Sequence, residues 1–219
     1  MTGSREQVLA NIRRSLRRTE PLGESARAGL EARLAAPRAN LKPHYDGDPV
    51  AHFETRIRAV SGIVTRVHGA AEISDVVQAH VRKHGLALDL VVAPDPDLDD
   101  IAWSNHFKVE CRAAVGSDQT SVTSAFAGVG ETGSLVLLSS PRSPTTLNFL
   151  PEDHLIVLAR SRIVPHIEDV WTRLRAEVGA MPRTVNFITG PSKTGDVEQV
   201  IQEGAHGPRR LHVILREDR

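Results

Sequence analysis

From residue 50 onward the apolar positions alternate between two periods. Val50 to Val60 repeats at helical spacing, with Phe53, Ile57 and Val60 on one side. Gly62 to Val67 is a β-branched run, Ile73 to Lys83 is helical again, and Asp89 to Ala93 is a short strand closed by Pro94. Farther along, Ser121 to Phe126, Ser134 to Leu138, Leu155 to Leu158, Val185 to Ile188 and Leu211 to Leu215 are predicted strands. Pro165 to Val178 and Val197 to Ile201 are predicted helices. Helical patterns interleaved with short β-branched runs predict βαβ units, hence an α/β fold with an open, mainly parallel sheet.

The first residues follow another rule. Ser4-Arg5-Glu6-Gln7 has the form of a capping box, and Val8, Ile12 and Leu16 then share one helical face. A second helix is predicted from Glu24 to Leu34. Pro37, Pro43, Gly47 and Pro49 mark the following segment as an irregular linker. The predicted organisation is an N-terminal helical arm and linker over 1–48 and one α/β domain over 49–219.

Composition narrows the function classes. Lys plus Arg and Asp plus Glu number 27 each, a formal net charge of zero, which draws the chain to neither nucleic acid nor anionic lipid. No run approaches the ~18 apolar residues of a membrane span. Residues 1–18 are polar and arginine-rich without an apolar signal core, so the expected address is the cytoplasm. The single cysteine, Cys111, cannot form an internal disulfide, nor supply the thiolates of an iron–sulfur cluster.

Four segments carry candidate chemistry. Gly128-Val129-Gly130-Glu131-Thr132-Gly133 matches the dinucleotide fingerprint in letters, but a proline-closed apolar run follows it where the fingerprint needs a helix. A strand–turn–strand hairpin is the consistent reading. Within that turn Glu131 could serve as base, nucleophile or hydrogen-bond acceptor, or simply cap the turn. Ile188-Thr189-Gly190-Pro191-Ser192-Lys193-Thr194-Gly195-Asp196 reads as strand, turn and helix start. In a parallel sheet that turn would lie at the carboxyl edge, where unpaired helix N–H groups, hydroxyls and Lys193 suit an anion. Ser192 or Thr194 could equally cap the helix. The Gly204-Ala205-His206-Gly207-Pro208 loop displays His206, a candidate proton carrier. His212, alternating with apolar residues in the last strand, is either a surface residue or a ligand.

Two other constellations are set aside. His80 and His84 have metal-clamp spacing but enclose Arg82 and Lys83, which oppose a divalent cation. Asp95, Asp97, Asp99 and Asp100 are broken by Pro94 and Pro96 and read as a solvated acidic turn.

Gly130 to Leu137, Leu150-Pro151-Glu152-Asp153-His154, Ile188 to Glu198, and Gly204 to Pro208 with Leu211 to Leu215 together resemble the lactate utilization protein C family of LUD-domain proteins, in the family's order. The resemblance implies a fold like that of the NagB/RpiA/CoA-transferase group. It implies membership of a three-protein system that oxidises L-lactate to pyruvate, with iron–sulfur clusters on the partner proteins and no cofactor or metal on this chain. An anionic small molecule would then be held by Thr132, Gly133, His154, Thr189, Gly190, Ser192, Lys193, Thr194 and Asp196, with Glu131 and His206 as candidate catalytic groups. Two other functions compete with that one. The first is a stand-alone enzyme on a sugar-phosphate or acyl-CoA type substrate, with Glu131 as nucleophile or base. The second is an interaction module whose glycine turns serve architecture alone.

Overall fold

The computed structural model describes residues 3–18, 20–36, 41–44, 46–195 and 202–217. Its contacts divide the chain into two units, Met1–Leu41 and Lys42–Arg219. The first holds helices α1 (Ser4–Ser15) and α2 (Glu24–Ala35), neither of which buries a residue. Helix α1 starts at Ser4, so Ser4 lies inside the helix and Gly3 takes the cap position without a side-chain bond. The predicted capping box is therefore not formed.

The second unit runs α3 (Pro49–Ala59), β1 (Ile63–Val67), α4 (Ala70–His84), β2 (Asp89–Val92), β3 (Lys108–Cys111), β4 (Thr120–Ser124), β5 (Ala127–Val129) and β6 (Ser134–Leu138). It continues through α5 (Thr146–Phe149), β7 (Asp153–Ala159), β8 (Ile163–Val164), α6 (Ile167–Glu177), β9 (Val185–Ile188), β10 (Lys193–Thr194), β11 (Gln202–Glu203) and β12 (Arg210–Arg216). Helix α3 opens as sequence rules require: the Asp48 side chain accepts from the Val50 N–H at 3.2 Å, and Pro49 fills a first-turn position that needs no N–H.

Six strands form one sheet in the order β1-β12-β7-β4-β2-β3, every neighbouring pair parallel. From β2 the chain steps outward to β3, then crosses back over β2 to β4 and proceeds through β7 to β12. The two directions part between β2 and β4, which makes the carboxyl ends of those strands the topological switch point. The outer strand β3 carries Lys108 and Glu110, and Arg112 follows it directly. Glu110 lies 3.1 Å from Lys108 and 2.7 Å from Arg112, which also grips Asp118.

Alternate residues of β7 face opposite layers. Leu155 and Val157 pack with Ile73, Val77 and Val81 of α4, while Ile156 and Leu158 pack with Phe53 and Ile57 of α3. A second sheet, order β8-β5-β6-β9, covers that latter face. Leu135 and Leu137 of β6 join the layer with α3, and Val136 turns the other way, against Val170 of α6. Burial on both faces explains the unbroken apolar run Leu135-Val136-Leu137. Strands β5 and β6 form the predicted antiparallel hairpin around Glu131.

Candidate functional site

Beyond the carboxyl ends of β2 and β4 opens a crevice of about 150 Å³, lined by Asp95, Asp97, Ser124, Phe126, Ser140 and Arg162 among others. Each side chain has a local reason for its place. Asp95 follows β2 and caps a 3₁₀ turn by accepting from the Asp97 N–H at 3.1 Å. Its other oxygen accepts from Ser124 Oγ, at the end of β4, at 2.6 Å. Ser140 Oγ accepts the Arg142 and Ser143 N–H groups and so shapes the turn that borders the crevice. Arg162 donates to Glu177 at 2.5 Å and lies 5.7 Å from the centre of the Phe126 ring. A planar guanidinium stacked on a ring keeps edge N–H groups available for a carboxylate.

Larger cavities exist, but their charges are matched internally. One of about 480 Å³ runs beside β3, where Arg112 is paired with Glu110 and Asp118. Another, of about 560 Å³, lies at the start of α4, where Arg216 meets Asp100, and Glu217 meets Arg66 and Arg160. The crevice is smaller, yet it occupies the position where open α/β sheets bind ligands.

The residues singled out from sequence lie elsewhere. Strand β9 pairs antiparallel with β6, not within the parallel sheet, and the turn after it enters the short strand β10, which pairs with β11. The expected strand–turn–helix at the carboxyl edge is thus replaced by a strand–turn–strand at the opposite edge. Lys193 Nζ donates to Ser61, just before β1, at 2.8 Å, and the Ser192 N–H donates to the carbonyl of Pro208, just before β12, at 2.8 Å. Asp196 and the predicted helix at 197–201 fall outside the described residues.

Some of these residues do converge. Ser134 Oγ lies 2.7 Å from Thr132 Oγ1 and 2.6 Å from Thr189 Oγ1, a row of three hydroxyls. Gly133 (φ +70°) and Gly190 (φ +85°) bring both turns against the end of α3. A Cβ would sit 2.6 Å from the Ile57 nitrogen at the first and 2.8 Å from a Val60 methyl at the second. Only glycine combines that conformation with that approach. Ser192 Oγ accepts the His206 N–H at 3.3 Å, and the His206 side chain is exposed. Thr194 pairs with Gln202 across β10 and β11.

Glu131 and His154 face other surroundings. One Glu131 oxygen accepts the Ile167 N–H at 3.0 Å and the other lies 2.8 Å from His166 Nδ1, so the carboxylate caps the start of α6. His154 is fully buried, with Nε2 2.8 Å from Thr123 Oγ1 and Nδ1 unpartnered. Burial pushes its imidazole down to about 3, so it is neutral at pH 7.

A second polar centre escaped sequence reasoning. Asp153 is fully buried and holds Arg210 through two bonds of 2.5 and 2.6 Å. It also accepts from His80 Nε2 at 2.8 Å. His80 Nδ1 lies 3.1 Å from His212 Nδ1, and His212 Nε2 lies 2.9 Å from Thr65 Oγ1. His212 is buried, contrary to the surface reading from sequence, because α4 covers its side of the sheet. Burial alone would raise the Asp153 carboxyl, but the Arg210 and His80 bonds outweigh it and hold it below the usual range. A polar residue inside a run of otherwise two-sided apolar burial was the available signal. Among the described residues, no group of three or more His, Cys, Asp or Glu could hold a metal ion.

Fold and crevice together define an α/β protein of the open-sheet class with a crevice at its switch point. More particularly, the chain belongs to the LUD domain family, whose profile matches residues 50–215. Its similarity to lactate utilization protein C of Halalkalibacterium halodurans is 25% identity over 244 aligned positions, covering 100% of both chains. Lactate utilization protein C of Anoxybacillus flavithermus is 29% identical over 178 positions, covering 71% of this chain and 77% of that protein. The uncharacterized protein YkgG of Escherichia coli is 31% identical over 145 residues, 59% of this chain and 63% of YkgG. A DUF162 family protein from Deinococcus radiodurans shares the fold, with TM-score 0.60 and 19% identity over 80% of this chain and 100% of that one. No described helix is long and apolar enough to cross a membrane.

Proposed function

We propose that this chain is the cluster-free component of a cytoplasmic system that oxidises L-lactate to pyruvate, and that its switch-point crevice holds the short acid. The observation that carries the reading is the end-to-end likeness to a lactate utilization protein C. The single cysteine, exposed Cys111, agrees with iron–sulfur clusters residing on partner proteins. The crevice has the matching chemistry. Arg162 offers charge-assisted hydrogen bonds to a carboxylate, and the Asp95 carboxylate with the Ser124 oxygen offers acceptors to the neighbouring 2-hydroxyl. A stand-alone enzyme built on Glu131 has less support, since both of that residue's oxygens are engaged at the start of α6.

Two measurements test the two halves separately. Removing the gene should abolish growth on L-lactate, and the tagged chain should co-purify with cysteine-rich cluster proteins. Intact growth without the gene would defeat the role. Calorimetric titration of the pure chain with lactate and pyruvate should show binding that Arg162→Ala weakens by about tenfold or more, the scale of one charge-assisted bond. Equal binding by the variant would move the ligand out of the crevice.

A further inference from the structure

The zero net charge of the whole chain hides a division. Residues 1–18 carry Arg5, Arg13, Arg14, Arg17 and Arg18 against Glu6 alone, a formal charge of +4, which leaves the remainder at −4. Local charge, not the total, decides what a surface attracts. Several arginines of the second unit, Arg66, Arg112, Arg160 and Arg210 among them, are engaged with carboxylates. Among the described residues, none of the five in the arm has an ion-pair partner.

Helix α1 sorts these charges from an apolar row. Val8, Ile12 and Leu16, four residues apart, share one face and are 55%, 48% and 58% exposed. Arg13 and Arg14 occupy the last turn, and Arg17 and Arg18 the turn that closes the helix. There the Arg17 N–H donates to the Arg14 carbonyl and the Arg18 N–H to the Arg13 carbonyl. That closure puts Arg17 (φ +52°) at the left-handed position where glycine is favoured. One or two cations would complement the helix dipole, and four arginines within residues 13–18 exceed that need. A helix of 12 residues that buries none of them is marginal alone in water, so its order depends on a surface that covers the row.

We propose that α1 lies along the surface of an anionic lipid bilayer, its aliphatic row at the acyl boundary and its arginines among the headgroup phosphates. Charge complementarity selects this occupant. A second copy would bring another +4 arm against the first. Nucleic acid would match the charge and leave the row in water. A shaped pocket on a protein would draw on aromatic anchors, and residues 1–41 contain no Phe, Tyr or Trp. The attachment is peripheral, since a helix of 12 residues is only ~18 Å long.

Co-sedimentation of the full chain with vesicles provides the test. At about 0.1 M salt the chain should bind equimolar phosphatidylglycerol–phosphatidylcholine vesicles saturably, and pure phosphatidylcholine vesicles at least about tenfold more weakly. Raising the salt to about 0.5 M should release it. Each arginine near such a surface is worth about fivefold, so Arg13→Gln with Arg17→Gln should weaken binding about thirtyfold. Arg175→Gln with Arg183→Gln makes the same charge change at exposed positions of the second unit and should bind as the parent does. Ile12→Gln with Leu16→Gln keeps helix-forming residues and every charge, and should reduce binding at least about tenfold. Because α1 buries no residue, the two arm variants should keep the parent melting temperature. No binding to the anionic vesicles, equal binding to the neutral ones, equal loss in both arginine pairs, or parent-like binding by Ile12→Gln with Leu16→Gln would each overturn the proposal. A parent chain that ignores vesicles but binds duplex DNA through Arg13 and Arg17, or dimerises through Ile12 and Leu16, would hand the arm to that occupant and overturn it equally.

Discussion

The two edges of the parallel sheet hold similar side chains put to different uses. At the amino edge Asp153, Arg210, His80 and His212 spend most of their hydrogen bonds on one another, and of the four only Arg210 reaches solvent appreciably. At the carboxyl edge Asp95, Ser124 and Arg162 border an open crevice, and their bonds serve mainly to fix orientation. Acidic and basic residues are equally present in both places. What distinguishes the proposed binding edge is capacity left over after the local partners are satisfied.

That contrast can be broken by acid. His154 and His212 are neutral in the fold but gain a proton in the unfolded chain below about pH 6.5, so the unfolded state binds more protons. Stability should be full above pH 6.5 and fall toward pH 4, by up to about 1.4 kcal/mol per pH unit for each histidine. Denaturant midpoints across that range will measure it, and a flat profile would mean the two imidazoles are not neutral inside. The next effect is smaller. Asp153→Ala leaves Arg210 and His80 without their acceptor and should cost about 3 kcal/mol, the low end for a broken buried pair because Arg210 keeps a quarter of its exposure. Lactate affinity per folded molecule should stay at the parent value, and a change there would tie the two edges together. The smallest is Glu131→Gln, which removes a charged cap from α6 and should cost about 1 kcal/mol in urea unfolding. A variant that folds as well as the parent yet fails to support growth on lactate would give Glu131 a chemical task instead.

Much of the scaffold is legible in the chain. The runs Ser134–Leu138 and Val185–Ile188 are strands as their apolar character requires, and the proline after Leu138 separates a hairpin from a dinucleotide fold. Pairing is less legible than strand existence. Strands β9 and β12 have similar apolar runs, yet one joins the antiparallel sheet and the other the parallel one, a choice made by partners distant in sequence. Strand β3 is hidden because Lys108 and Glu110 dilute its β-branched signal, and β5 because Gly128 lies at its centre. The expectation of a ligand site at the strand carboxyl ends rests on the turn after Ile188, which the pairing of β9 with β6 carries away from those ends, and it names none of the crevice residues. Asp95, flanked by two prolines, reads as a solvated turn until Ser124, 29 positions later, is brought to it by the pairing of β2 with β4. His212 misleads for a related reason: alternation signals a surface only where one side of a strand is wet.

The charged outer strand also governs how copies of the molecule meet. An unpaired parallel strand is a template on which another backbone can crystallise, copy after copy. Along β3 and just past its end, the ammonium of Lys108 and the guanidinium of Arg112 are already locked to the carboxylate of Glu110. A newcomer would have to strip that row of its water before gaining a single amide bond. At this margin the row of paired charges keeps neighbouring copies from fusing edge to edge.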